Sequence, residues 1–260
     1  MCNQSPIVVP PTQEESGREN RSTPLWPDLH ERVMLPEWMD EPTLPHAMHE
    51  EALRGLRRIH AIGGTARQLW QTIRQHFGHD PTRQIRILDV GCAEGHLARA
   101  LLNISQRYRQ PMIVDGCDIS PQALSMARRQ DPQPQGVSQW FKLDATRDPI
   151  PRTYDVILSS LVMHHLPQTE VVKLMRGMAE AAQMVLIHDL RRCRMGYLAS
   201  YLGTRLLTRS PVVHYDGPLS VRSAFTHEQW RQIMHAAGWD HAQLRHRWPW
   251  RVEIQWRNSE

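Results

Sequence analysis

Apolar positions change their period along this chain, and each change marks a change of element. From residue 1 to about 45 no period emerges: proline and polar residues dominate, and only Leu25, Trp26, Val33, Met34, Leu35 and Trp38 stand ready to dock locally. From His46 to Phe77 the spacing is helical. Leu53, Leu56, Ile59 and Ile62 recur at three-residue steps, Gly63-Gly64 interrupts, and Ala66, Leu69, Trp70, Ile73 and Phe77 resume. This predicts two helices or one broken helix, a cap over residues 46–80.

Beyond His79-Asp80-Pro81, short buried runs alternate with helical stretches. Strands are expected at Ile85–Val90, Met112–Cys117, Val137–Leu143, Tyr154–Leu158 and Met184–Ile187. Helices are expected at His96–Ile104, from Ser120-Pro121 through Arg129, and from about Gln168 to Ala182. Strands spaced by helices predict an α/β fold with a mostly parallel sheet and helices on both faces. In the last third, Tyr197–Leu207 reads as a helix, Ser210–Ser220 with its two prolines as a loop, and Phe225–Ala237 as a helix capped by Thr226 and stopped by Gly238. Residues 241–256 alternate as an antiparallel hairpin does, with Pro249 at its turn or on an edge.

Charge adds one feature. The net charge is +4, yet residues 1–190 carry 20 basic and 22 acidic groups while residues 191–260 carry 11 and 5. Lys142 and Lys173 are the only lysines, so the basic final third is built of arginine. It suits nucleic acid, an anionic ligand or a membrane surface, or simply solvated faces. No apolar stretch approaches the ~18 residues of a membrane span, and the opening residues carry no secretory pattern. Cys2, Cys92, Cys117 and Cys193 lie far apart without a CxxC pair, which disfavours zinc and disulfide scaffolds and favours a reducing cytoplasm.

The candidate chemistry begins at Asp89-Val90-Gly91-Cys92-Ala93-Glu94-Gly95, a buried strand running into a tight glycine turn that opens a helix. Small residues let a ligand approach the backbone there, and the helix start presents free amides. The next strand ends at Asp118-Ile119, where a carboxylate is able to accept two ribose hydroxyls. The third ends at Asp144-Ala145, a carboxylate and an amide suited to an adenine edge. Alone, each aspartate is as well suited to capping a turn; together, in register after the glycine turn, they point to a nucleoside site. Gly91-x-x-x-Gly95 does not fit a nicotinamide fingerprint, and no phosphate-binding P-loop occurs.

The segments DVGCAEG, CDISPQALSMAR, FKLDA and YDVILSSLVMHHL resemble the class I S-adenosylmethionine-dependent methyltransferase family over roughly residues 85–190. The resemblance implies a Rossmann-like, seven-stranded sheet with one antiparallel strand, set in a domain over residues 81–260 with a lid insert around 191–225. It assigns Asp89, Gly91, Cys92, Ala93 and Gly95 to the methionine part of the cofactor. Asp118 and Ile119 fall to the ribose, Asp144 and Ala145 to adenine, and Ser159 and Ser160 to the methionine end. The chain departs from the family in having Ala93 where glycine is usual.

An acceptor phenol needs a base, because it titrates near ~10 when unperturbed. His164 and His165 after the fourth strand, and His188 with Asp189 after the fifth, are the candidates; no metal is expected. The flanks around Trp38, Arg57 and Gly217 look similar to bacterial methyltransferases of polyketide and phenolic-lipid pathways. The acceptor is therefore expected to be a small aromatic or acyl-chain molecule, methylated on oxygen. C-methylation of a quinone-type ring, RNA methylation and a non-catalytic cofactor-binding scaffold are the alternatives. The sequence leaves the oligomeric state open.

Overall fold

Five of the strands foreseen from the apolar runs form the parallel part of one sheet. In the computed structural model these are β1 (Ile85–Val90), β2 (Met112–Asp118), β3 (Val137–Lys142), β4 (Tyr154–Ser160) and β5 (Ala182–Leu190). The hairpin β6 (Gln243–Arg247) and β7 (Arg251–Arg257) completes a seven-stranded sheet in the order β3-β2-β1-β4-β5-β7-β6. Strand β7 runs antiparallel to both β5 and β6. The structure describes residues 23–41, 43–130 and 137–258; Cys2 and the first 22 residues of the expected arm lie outside them.

Eight α-helices surround the sheet among the described residues. The first two, α1 (His46–Gly63) and α2 (Thr65–Phe77), are parted at Gly64, whose φ of 65° is left-handed and costs glycine nothing. Next come α3 (His96–Arg107), α4 (Pro121–Arg129) and α5 (Gln168–Glu180). Ser120 caps α4 by accepting from the Ala123 amide at 3.2 Å, with Pro121 in the first turn where its missing N–H is not needed. The last three are α6 (Arg194–Leu207), α7 (Pro211–Ser223) and α8 (His227–Ala237). Thr226 and Gln229 form a reciprocal capping box on α8, and Gly238 ends it at φ 78°.

Two apolar layers cover the sheet. On one face Leu69, Trp70 and Ile73 of α2 and Leu101 of α3 pack on Ile85, Ile87, Val156 and Leu186. On the other, Leu174 and Met178 of α5 and Trp230 and Ile233 of α8 pack on Leu88, Ile157, Val185 and Ile254. Removing a ring as buried as Trp230 costs roughly 3–5 kcal/mol.

The loop expected at Ser210–Ser220 is instead helical. Pro211 sits in the first turn of α7 and Pro218 inside it. An interior proline forfeits one backbone bond, but here packing outweighs it. Val212, Val213, Tyr215, Leu219 and Val221 are all buried, and a side chain on Gly217 would collide with Thr204 of α6 at 2.6 Å. Tertiary burial overrides the local proline signal.

Candidate active site

Parallel strands gather their carboxyl ends at one edge, and the site is built there. Register sets Val90 of β1 beside Cys117 of β2 and Ser159 of β4, and Ser159 beside Ile187 of β5. The turn after β1 holds three left-handed residues: Gly91 (φ 73°), Ala93 (φ 47°) and Gly95 (φ 75°). Gly91 and Gly95 also need glycine for space, since a Cβ would run into Val162 at the first and the Trp140 ring at the second. Ala93 has no such licence; its amide donates to Asp118 Oδ2 at 2.8 Å, which fixes the turn. The other Asp118 oxygen accepts from the Ser120 amide at 2.8 Å. Each oxygen keeps a lone pair for a further donor.

Among the described residues, Asp89 Oδ2 at the end of β1 and Ser159 Oγ at the end of β4 are buried without a hydrogen-bond partner, as is Trp140 Nε1 beside the turn. Buried groups of this kind are normally satisfied. Burial, with Asp118 nearby, pushes the Asp89 carboxyl up to about 7. Cys92 and Cys117 are buried beside it; burial and the same carboxylate push the Cys117 thiol up to about 12, so it stays protonated. Asp144 caps its own turn, accepting from the Thr146 hydroxyl at 2.6 Å and amide at 3.1 Å, which holds it below the usual carboxylate range. Ala145 packs against the core, Ser160 is half-buried, and Ile119 is exposed. Glu94, inside the glycine motif but given no role from sequence, is buried and paired with Arg57 of α1 at 3.0 Å and with Gln130 Nε2 at 2.8 Å.

The second half of the site lies past β4. Met163–His165 form a 3-10 turn, and His164 Nδ1 is 2.6 Å from Asp189 Oδ1 on β5. The same carboxylate accepts from the His164 amide at 3.1 Å and the Leu190 amide at 2.6 Å. Burial disfavours charge on the imidazole, but Asp189 outweighs it, and His164 titrates above its ordinary range. Burial likewise disfavours the carboxylate, yet His164 and the Leu190 amide hold Asp189 below its own. The His165 ring lies tilted against that of His164, 4.2 Å between centroids, and burial, then His164, push it down to about 4. His188 is not brought into this group. Strand alternation sends it to the sheet face opposite Asp189, where its register partner is the buried Glu253 of β7.

Residues 23–41 cross the mouth of this site. The Arg32 guanidinium donates to the carbonyls of His164 and Leu166 at 2.8 Å each and to that of Ser223. Arg192, from the start of the segment leading into α6, donates to the carbonyls of Leu29, His30 and Ala224. Trp38 stacks on Tyr215 of α7 at 4.7 Å, and Asp216 accepts from the Trp38 and Met39 amides at 2.8 and 3.0 Å. Burial and neighbouring Glu37 push Asp216 up to about 7. Glu37 accepts from the Ser220 hydroxyl, and Glu37, His164 and His165 each bring a polar atom within 4.8 Å of the others. Among the described residues this is the one such cluster of His, Cys, Asp or Glu. From sequence, Asp189 was attached to its neighbour His188 and Glu37 was given no role. Both act through contacts more than twenty residues away, which no local pattern encodes.

Residues 88–183 match the family model described as a methyltransferase domain. No curated protein matches the chain. Among solved structures, a plantazolicin methyltransferase in complex with S-adenosylhomocysteine aligns with a TM-score of 0.63 at 14% identity, covering 85% of this chain and 93% of that one. Human N-acetylserotonin methyltransferase in complex with S-adenosylmethionine aligns at 0.58 and 15%, covering 82% of this chain and 57% of that one. Magnesium protoporphyrin IX methyltransferase from Synechocystis PCC 6803 aligns at 0.51 and 12%, covering 85% and 88%.

Proposed function

We propose that this chain, a methyltransferase of the class I, S-adenosylmethionine-dependent fold, methylates an ionisable oxygen on a small aromatic or polyketide-like acceptor. The cofactor fits the residues present. The orphaned Asp89 carboxylate answers a cationic amino group, and the Gly91–Gly95 turn, with Cys92 and Ala93, admits a close backbone neighbour. Asp118 and Ile119 take the ribose and Asp144 and Ala145 the adenine. Ser159, whose hydroxyl lacks a partner, and Ser160 take the methionine end. Bound there, the cofactor supplies an electrophilic methyl group.

The observation that carries the reading is the buried His164–Asp189 pair at the carboxyl ends of β4 and β5. With Asp189 accepting from Nδ1–H, the neutral imidazole has its lone pair on Nε2, the atom that serves as general base in this reading. As the acceptor oxygen gains the methyl, its O–H bond breaks and the proton moves to Nε2. Asp189 then stabilises the imidazolium without itself taking the proton. The arm, with Trp38 and Glu37, shields the reacting centre from water, and the 194–223 helices border the acceptor. The reading includes a cytoplasmic site of action, supported by the thiols of Cys92 and Cys117 beside the turn. Incubation with S-adenosylmethionine and a panel of phenols and hydroxyquinones tests it. Methyl ether formation that falls ~100-fold or more in His164→Ala is expected; unchanged turnover in that variant refutes the assignment.

A further inference from the structure

Of the eleven large exposed apolar side chains among the described residues, six lie on or beside one helix. Met195, Leu202 and Leu206 of α6 are 53%, 47% and 83% exposed. Spaced seven and eleven residues from the first, they fall on one stripe of the helix. On one flank, the Tyr197 hydroxyl donates to the Pro24 carbonyl and Arg205 reaches Thr23 Oγ1, which brings exposed Leu25 and Trp26 alongside. On the other, a Cβ on Gly196 would sit 3.3 Å from that of Trp250, whose ring lies 5.5 Å from the exposed Trp248.

Charge on the helix and on the segments at its two ends has one sign. Between Leu190 and Tyr215 every charged residue is an arginine, and Arg194, Arg205 and Arg209 are exposed. A leucine stripe beside arginines, with tryptophans on both sides, matches a helix lying in a lipid–water interface. Leucines enter the acyl boundary, indoles sit at headgroup depth, and guanidiniums meet phosphate. A second copy would bring like charges together, and nucleic acid would leave the leucines exposed. We propose that the outer face of α6, between Trp26 and Trp248, docks the protein on an anionic lipid bilayer. This surface is independent of the methyl-transfer reading.

Sedimentation of the full chain with phosphatidylcholine vesicles, and with vesicles that also contain phosphatidylglycerol, tests the proposal. Strong partitioning onto the anionic vesicles is expected, weakening as salt rises. Leu202→Gln with Leu206→Gln lowers it by roughly tenfold or more. Arg194→Gln with Arg205→Gln lowers it by about fivefold per arginine. A circular dichroism spectrum and a melting temperature matching those of the native chain show that each variant folds, and the arginine pair serves if the leucine pair does not. No partitioning, equal partitioning onto neutral vesicles, or a dimer in solution that the leucine variant dissolves would each overturn the proposal.

Discussion

Replacing Asp189 by asparagine keeps the side-chain shape and removes the charge that faces His164. In the native chain the carboxylate is buried and accepts from His164 Nδ1, the His164 amide and the Leu190 amide. An asparagine has one carbonyl oxygen for three donors, so its amide nitrogen faces an N–H. Breaking a buried charged pair costs about 3–5 kcal/mol. At roughly 2–4 °C per kcal/mol for a domain of this size, melting falls by roughly 6–20 °C.

The sign of the pH dependence follows from the two shifts. His164 is raised, so its contribution is complete below the ordinary imidazole value and is lost as pH climbs through the raised one. Asp189 is lowered, so its contribution is complete above the ordinary carboxylate value and is lost as pH falls through the lowered one. Between ~4 and ~6.5 both are present. Thermal melts of both proteins near ~pH 5.5 and ~pH 9 therefore separate most at the lower pH. A gap under ~1 kcal/mol near ~pH 5.5, or one that widens towards alkaline pH, refutes a buried ion pair.

Other consequences are equally direct. Burial, with Asp118 nearby, pushes the Asp89 carboxyl up to about 7. Affinity for S-adenosylhomocysteine therefore rises with pH up to that value by about tenfold per unit, and calorimetry on Asp89→Asn shows the slope abolished. Gly95→Ala forces a methyl into the Trp140 ring at a left-handed φ; it costs ~3 kcal/mol or more in urea unfolding and weakens cofactor binding. Arg32→Ala strips three carbonyls of a charged donor and uncovers the Phe225 ring beneath it. It loses ~2 kcal/mol or more of stability and exposes residues 23–41 to limited proteolysis, with cofactor affinity retained.

The sheet was legible because strands β1, β2, β4 and β5 each centre on a short run of buried apolar residues and their connections carry helix-start signals such as Ser120-Pro121. The antiparallel β7 came from the family resemblance, and the hairpin that holds it from weak alternation after Gly238. Helix α7 was hidden because Pro218 signals a break locally, while the burial that overrides it depends on α1, α6 and the arm. The glycine turn and its aspartates could be read because their spacing is set by strand length. The His164–Asp189 pair could not. Nothing local distinguishes His164 from His165 or His188; only the register of β4 against β5 and the alternation of β5 select it.

Calorimetric titration of the chain with S-adenosylhomocysteine, beside Asp118→Ala, tests the central claim most directly. The glycine turn, the orphaned Asp89 and the two-point hold on Asp118 predict micromolar binding to the native chain. They predict a loss of roughly tenfold to a hundredfold in the variant, as removing a charged acceptor from two hydroxyls requires. Equal affinity in both proteins would contradict the ribose assignment, and no binding to the native chain would contradict the methyltransferase account itself.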